Sequence, residues 1–112
     1  MVRRYLTGKG LAILEQNFHT PRGEIDLIAR DEATLVFIEV KMRRGNAHGA
    51  PAEAVDGRKR RRMLLAALEY LSGFPDSCDC RFDVIALAVD PQGLARLDHF
   101  PNAFEATGED LP

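Results

Sequence analysis

Two apolar stretches separated by a short polar loop constrain the fold of this chain more than any other feature. Residues 24–29 (EIDLIA) alternate polar and apolar side chains and then become wholly apolar. Residues 35–41 (LVFIEVK) are rich in β-branched side chains and are apolar on both faces until Glu39. A segment that is apolar on both faces is typical of a central strand covered on each side. Residues 31–34 predict a hairpin loop between the two strands.

The other predicted elements place this hairpin in a larger sheet. Strands are predicted over residues 11–17, 24–29, 35–41, 81–89 and 94–100, the last at an edge of the sheet. Helices are predicted over residues 52–55 and 58–71. The last helix carries four leucines at helical spacing, namely Leu64, Leu65, Leu68 and Leu71. We therefore expect an α/β domain in residues 1–100, with a mixed β-sheet flanked by helices, and a loose tail over residues 101–112.

Length and composition favour one soluble domain that folds without a disulfide or a structural metal. The chain has 112 residues, of which 46% are apolar, and this is enough to bury a core. Cys78 and Cys80 are too close in sequence for an ordinary disulfide or a four-thiolate zinc site. No apolar run approaches the ~18 residues of a membrane span. We expect a cytoplasmic protein with no membrane partner.

The charge is distributed unevenly along the chain. The formal net charge is −2, but residues 1–62 hold 13 Lys and Arg against 8 Asp and Glu, whereas residues 63–112 hold 2 against 9. The amino-terminal half could therefore present a basic surface to a nucleic acid. Charges that simply cover a solvated surface explain the same counts.

The predicted hairpin brings ionisable side chains together at its open end. A loop over residues 31–34 places Asp26 opposite Glu39 and Glu24 opposite Lys41. Directly opposed side chains share a face of the sheet, with Cβ atoms ~4.5–5.5 Å apart. Clustered carboxylates require protonation or a cation, and Mg²⁺ prefers oxygen ligands. The pattern indicates metal-assisted phosphodiester hydrolysis. A solvated strand end with a weak Glu24–Lys41 ion pair is the alternative.

A basic run, RKRRR at residues 58–62, lies near the amino terminus of the predicted long helix. Five consecutive residues extend around more than one turn, so they cannot all face one partner, although some should point towards the open end of the hairpin. Arg58 and Lys59, together with Arg43 and Arg44, are the candidates for contacting phosphates. A solvated helix end is the alternative interpretation.

The spacing of two charged residues in the predicted strand 81–89 indicates an ion pair with a structural role. Arg81 and Asp83 are two positions apart, so they share one face of the strand. We expect a structural ion pair between them, with a role at the rim of an active site as the alternative.

Several segments resemble those of a known family in their order and separation. They are GEIDLIA (23–29), FIEVKMR (37–43), PAEAV (51–55), RKR (58–60) and RFDVI (81–85). Together they are similar to the YraN-type family of small bacterial proteins, which is assigned to the PD-(D/E)XK nuclease superfamily alongside archaeal Holliday-junction resolvases. The resemblance spans nearly the whole chain and implies a restriction endonuclease-like core.

The resemblance also implies roles for individual residues. Asp26 and Glu39 would be the carboxylate ligands of Mg²⁺ or Mn²⁺, and the carbonyl of Val40 would be a further ligand. Lys41 would orient the attacking water. Glu24 matches a family position and would support the metal site. Among the basic residues, Lys59 also matches the family.

One departure from the family bears on activity. The first helix of the family is usually longer and carries an acidic residue. By the resemblance, that helix is cut to residues 1–6 here, and no acidic residue precedes Glu15. We therefore carry two main hypotheses. The first is a metal-dependent nuclease that hydrolyses DNA, with branched or damaged DNA as candidate substrates. The second is a nucleic-acid-binding module with the same fold and little or no catalytic activity, for which a partner or homodimerisation could be required. A third is a protein-interaction domain that uses its acidic carboxy-terminal half.

Overall fold

Residues 1–44, 55–74 and 78–105, the part of the chain that the computed structural model describes, form two helices and five strands. In chain order the elements are α1 (Val2–Gly8), β1 (Ala12–Thr20), β2 (Gly23–Asp31), β3 (Thr34–Arg44), α2 (Gly57–Leu71), β4 (Asp79–Val89) and β5 (Ala95–Phe104). No helix in these ranges is both long and apolar enough to cross a membrane.

The strands form one mixed sheet in the order β1-β2-β3-β4-β5. β3 and β4 are parallel, and the other neighbouring strands are antiparallel. Parallel neighbours need a crossover connection, and α2 lies in that connection. The predicted α/β class and the mixed sheet are confirmed, and the architecture is consistent with a restriction endonuclease-like core.

Strand β3 is the central strand, as its sequence predicts. Val36, Phe37 and Ile38 are all fully buried. Phe37 belongs to the core beneath α2, whereas Val36 and Ile38 belong to a second core that includes Leu6 of α1. Successive side chains of a strand point to opposite faces, so a strand with a core on each face must be apolar at every position.

The register of the β2–β3 hairpin also follows the prediction. Five pairs are formed, from Asp31 opposite Thr34 to Leu27 opposite Ile38. The connection is tighter than the predicted loop, because Asp31 and Thr34 themselves pair and only two residues remain in the turn. Glu32, the first of these, has a positive φ of 55°.

Helix α2 approaches the sheet closely through small side chains. Its buried residues are Met63, Ala66 and Ala67, whereas Leu68 remains 46% exposed. The helix that the leucine spacing predicts is confirmed, but its buried face is formed by Met63 and the two alanines. The physical reason is the short distance between α2 and β2, since a Cβ built on Gly23 would lie 1.9 Å from the carbonyl oxygen of Arg62.

The carboxy-terminal boundary differs from the expected one. β5 continues to Phe104, so residues 101–104 belong to the sheet and not to a loose tail. Phe104 is buried and stacks on Phe82, with ring centroids 5.0 Å apart. Residues 106–112, and residues 52–54 of the predicted short helix, lie outside the described part of the chain.

A buried polar network lies on the face of the sheet that α1 covers. Asp83 is fully buried and accepts hydrogen bonds from Arg81 (3.1 Å) and from the backbone N–H of Asn102 (2.9 Å). Its second oxygen lies 2.8 Å from Nε2 of His99, and the other ring nitrogen of His99 lies 3.0 Å from the hydroxyl of Tyr5. The structural Arg81–Asp83 ion pair is confirmed, and the network joins α1 to β4 and β5.

Candidate functional site

The backbone N–H of Val40 binds the Asp26 carboxylate where the β2–β3 ladder ends. The regular pairs stop at Leu27 and Ile38, and beyond them Oδ2 of Asp26 accepts a hydrogen bond of 2.7 Å from the backbone N–H of Val40. The N–H and C=O of one residue point to the same edge of a strand. The carbonyl of Val40 therefore points to the same edge as its N–H, where Asp26 lies.

Asp26 is also accessible from outside the sheet. A shallow cleft of about 260 Å³ opens at this point of the β1–β2–β3 surface. It is lined by Gln16, Asn17, Asp26, Leu27 and Val40. Asn17 has a left-handed backbone, with φ of 51°, which interrupts the regular course of β1 beside the cleft. A small ligand or solvent can therefore reach the Asp26 carboxylate from this side.

Glu39 is the buried carboxylate of the site. Its side chain is only 8% exposed, and its Oε1 lies 3.0 Å from the ammonium of Lys59 on α2. The second oxygen, Oε2, is buried and has no hydrogen-bond partner among the described residues. A buried polar atom without a partner costs about 1–3 kcal/mol of folding free energy. An unpartnered carboxylate oxygen at this position is a ready ligand for a cation.

Asp26 lies close enough to Glu39 to act on it electrostatically, since its carboxylate bonds to the N–H of the next residue, Val40. Burial raises the pKa of Glu39, the hydrogen bond from Lys59 lowers it, and the negative charge of Asp26 raises it again, so that the net direction is upward. The nearby negative charge of Asp26 therefore favours the protonated form of Glu39. Strand geometry thus holds two like charges in one place.

Lys59 compensates only part of this charge. Its partial burial lowers the pKa of the ammonium, but the hydrogen bond to Glu39 and the nearby carboxylates raise it, and the net direction is upward. The pKa of Glu39 and that of Lys59 both increase. These directions are compatible, because the glutamate lies deeper and loses more hydration than a single ammonium restores.

One of the predicted carboxylates, Glu24, has partners outside the expected patch. Glu24 is half-buried on β2 and contacts Arg62 of α2 at 3.3 Å and His19 at 3.6 Å. Lys41 is exposed, two residues after Glu39 on β3. Within the described ranges, no group of three or more Asp, Glu, His or Cys side chains could hold a metal ion. The expected trio of carboxylates is therefore corrected to the pair Asp26 and Glu39, with Lys59 in contact with Glu39, whereas the role of Lys41 stays a prediction.

The basic candidates surround the same end of the sheet. Arg58 is exposed in the first turn of α2, next to Lys59, and Arg43 is half-buried near the end of β3. Arg44 is the last residue of β3. The prediction that part of the basic run points towards the hairpin is confirmed, because Lys59 and Arg62 contact Glu39 and Glu24.

The chemistry of the donors fits a hard divalent cation. Carboxylate and carbonyl oxygens are the ligands that Mg²⁺ and Mn²⁺ prefer, and Mg²⁺ needs only one or two protein carboxylates when water or phosphate completes its coordination. Asp26, Glu39 and the carbonyl of Val40 supply such oxygens. The buried and unpartnered Oε2 of Glu39 is the observation of this structure that fits a cation there.

Comparison with known proteins places the chain in a family. The sequence profile of the uncharacterised protein family UPF0102 matches residues 1–87. The chain belongs to this family. A UPF0102 protein of Chlorobium phaeobacteroides is 44% identical over 108 residues, which cover 91% of this chain and 85% of the relative. A UPF0102 protein of Syntrophotalea carbinolica is 47% identical over 106 residues, covering 93% and 85% respectively. The predicted YraN-type membership is confirmed, since UPF0102 is that family.

One contact of this UPF0102 protein was not predicted from the sequence. Lys59 was expected to face phosphate, and the structure instead pairs it with Glu39. A signal for the orientation of Lys59 is present in the sequence, because Asp56 precedes it by three residues. The side chain of Asp56 caps the helix by accepting a hydrogen bond of 2.8 Å from the backbone N–H of Lys59. The cap fixes where α2 begins and therefore which of the five basic residues faces β3.

Proposed function

We propose that this UPF0102 protein is a metal-dependent nuclease that hydrolyses phosphodiester bonds in DNA. The single observation that carries the proposal is the buried, unpartnered Oε2 of Glu39 beside the Asp26 carboxylate. A protein gains no stability from an uncompensated carboxylate at this place, so a cation that completes the site is the simplest reason for its geometry. The family resemblance to the PD-(D/E)XK nucleases supports the same chemistry.

The proposed metal ligands are Asp26, Glu39 and the carbonyl of Val40. When bound, Mg²⁺ or Mn²⁺ would supply positive charge for the phosphate oxygens and would lower the pKa of a coordinated water. The residues of the chain do the rest. The N–H of Val40 holds the Asp26 carboxylate in place, and burial holds that of Glu39.

Lys41 is proposed to orient the attacking water. It follows Glu39 by two positions on β3, so its side chain leaves the strand on the same face. Its exposure leaves the ammonium accessible to a substrate phosphate and to solvent. Glu24 has a supporting role in this proposal, because it contacts Arg62 and so ties the start of β2 to α2.

The nucleic acid is proposed to bind across the start of α2 and the end of β3. Arg58, Lys59, Arg43 and Arg44 belong to these two segments, and their charges suit phosphate contacts rather than the recognition of bases. Binding through such contacts weakens steeply as the salt concentration rises. The proposed substrates are DNA structures, with branched and damaged DNA as the first candidates.

A cleavage assay with matched variants tests the proposal. The protein is incubated with branched, single-stranded and duplex DNA in the presence of Mg²⁺ or Mn²⁺, beside the variants Asp26→Ala, Glu39→Ala and Glu69→Ala. Glu69 is an exposed carboxylate near the other end of α2, so its removal controls for the loss of one charge. We expect cleavage that is lost in the first two variants and kept in the third. Cleavage that persists in Asp26→Ala and Glu39→Ala would refute the proposed site.

A nucleic-acid-binding module is the second candidate function. It is favoured by the absence of a third acidic ligand among the described residues and by the ion pair between Lys59 and Glu39. Salt-sensitive DNA binding without cleavage, under any of the metal conditions above, would support this function in place of the nuclease.

A further inference from the structure

Lys59 occupies a position that is fixed from two directions. Its backbone N–H donates to the carboxylate of Asp56 at the start of α2, at 2.8 Å. Its ammonium lies 3.0 Å from Oε1 of Glu39 on the central strand. Helix α2 also packs directly against β2 at Gly23, where a Cβ would lie 1.9 Å from the carbonyl oxygen of Arg62. The fold therefore fixes the backbone of Lys59 beside the carboxylates, and the side chain reaches Glu39 from there.

The charge around Lys59 is strongly one-sided. Glu39, Asp26 and Glu24 all act on its ammonium as negative charges. The contact uses one oxygen of Glu39 and leaves the other without a partner. Since Glu24 is also paired with Arg62, the ammonium of Lys59 faces the two carboxylates of Asp26 and Glu39, and this pair keeps a net negative charge that can attract a divalent cation.

We propose that Lys59 is the counter-ion of the Asp26–Glu39 site in the metal-free protein. Its positive charge weakens the binding of a divalent cation there, and when that cation binds, Lys59 is released to contact a phosphate. The first part depends only on charge and geometry, whereas the release to phosphate rests on the proposed function. Lys59 is a positioning residue in the free protein, because it acts through Glu39, and it becomes a phosphate contact only after release.

The direction of one measurement separates this role from a purely structural one. A positive charge within hydrogen-bonding distance of a metal ligand repels an incoming divalent cation. Removing that charge should therefore tighten metal binding. If Lys59 merely held Glu39 in the correct rotamer, its removal would loosen the site and weaken metal binding instead.

Titration with Mn²⁺, followed by calorimetry, provides this measurement. We expect Lys59→Met to bind Mn²⁺ roughly tenfold more tightly than the natural protein, a size typical of coupling between two sites. Lys59→Arg keeps the charge and should bind Mn²⁺ as the natural protein does. Lys9→Met is the matched control, since Lys9 follows α1, which packs on the opposite face of the sheet, and lies over the ring of Tyr5.

The outcomes of the titration are distinguishable. Equal or weaker Mn²⁺ binding by folded Lys59→Met would overturn the counter-ion role while leaving the proposed function in place. No Mn²⁺ binding by the natural protein would overturn the proposed function. Circular dichroism of each variant shows whether it is folded, and Lys59→Gln provides a second neutral variant if Lys59→Met is not.

A second arm tests the release to phosphate. Binding of a labelled duplex DNA is measured without divalent cations and then with Ca²⁺, a hard cation that takes oxygen ligands. Without the cation, we expect Lys59→Met and the natural protein to bind DNA equally, since Lys59 is engaged by Glu39. With Ca²⁺, the natural protein should gain about fivefold more affinity than the variant. Equal gains would overturn the release step.

Discussion

Replacement of Gly23 by alanine tests whether the contact between β2 and α2 is as close as the structure shows. A Cβ at residue 23 would lie 1.9 Å from the carbonyl oxygen of Arg62 and 2.7 Å from its carbonyl carbon. Both distances are far inside van der Waals contact, and the atoms that must move belong to the backbone of a helix. Overpacking of this kind costs about 1–3 kcal/mol, and the involvement of backbone places the expected loss at the upper end, about 3 kcal/mol.

Urea denaturation followed by circular dichroism measures this loss. Gly8→Ala is the matched control, because no atom lies within 4 Å of a Cβ built on Gly8 and its change in unfolding free energy should stay within about 0.5 kcal/mol. We expect Gly23→Ala to shift the urea midpoint downwards and Gly8→Ala to leave it nearly unchanged. Equal midpoints for the two variants would refute the close packing of α2 on the start of β2, and with it the fixed position of Lys59.

Two further predictions concern the buried carboxylates. Because burial raises the pKa of Glu39, the folded protein binds the proton of this carboxyl group more tightly than the unfolded chain does. The free energy of unfolding therefore increases as the pH falls through the raised pKa towards the ordinary value of 4.5. Glu39→Gln should therefore be more stable than the natural protein by about 1 kcal/mol at neutral pH, and this difference should disappear below pH 4.5. Urea titrations across pH measure the difference, and one that does not change with pH would contradict the prediction. Asp83→Asn should cost about 3 kcal/mol, because it leaves Arg81 and His99 without their buried charge partner, whereas Asp98→Asn, at an exposed pair, should cost at most about 0.5 kcal/mol; similar losses would contradict the network.

The hairpin was predictable because its signals are local. Residues 35–41 must be covered on both faces, and the position of the turn fixes which residues of β2 and β3 oppose each other. The five pairs of the β2–β3 ladder follow that register. Asp26 and Glu39 converge for the same reason, although Asp26 bonds to the N–H of Val40 once the regular ladder has ended.

The arrangement around α2 could not be predicted from its own sequence. The leucine spacing identified a helix but not its buried face, which depends on how closely β2 approaches at Gly23. For the same reason, the partner of Lys59 depends on the rotation of the helix about its axis, which the cap at Asp56 and packing against the sheet determine together. Long-range packing, and not local propensity, decided these contacts.

The extent of β5 was missed because its last residues carry weak signals. Pro101 and Asn102 are typical of a chain leaving a sheet, and the structure retains them by a shift of register between Phe82 and Val84. Asn102 adopts a left-handed backbone, with φ of 52°, and its N–H bonds to Asp83. A buried carboxylate on the neighbouring strand thus stabilises the continuation.

A crystal structure of the protein soaked with Mn²⁺ tests the central claim most directly. Anomalous scattering distinguishes Mn²⁺ from the lighter ions and water that could occupy the same place. We predict one ion bound by carboxylate oxygens of both Asp26 and Glu39, with metal–oxygen distances close to the ~2.1 Å of Mg²⁺ sites, and with the ammonium of Lys59 withdrawn from Glu39. An ion bound elsewhere would contradict the account. So would a crystal with no ion between the two carboxylates and with Lys59 still 3.0 Å from Glu39.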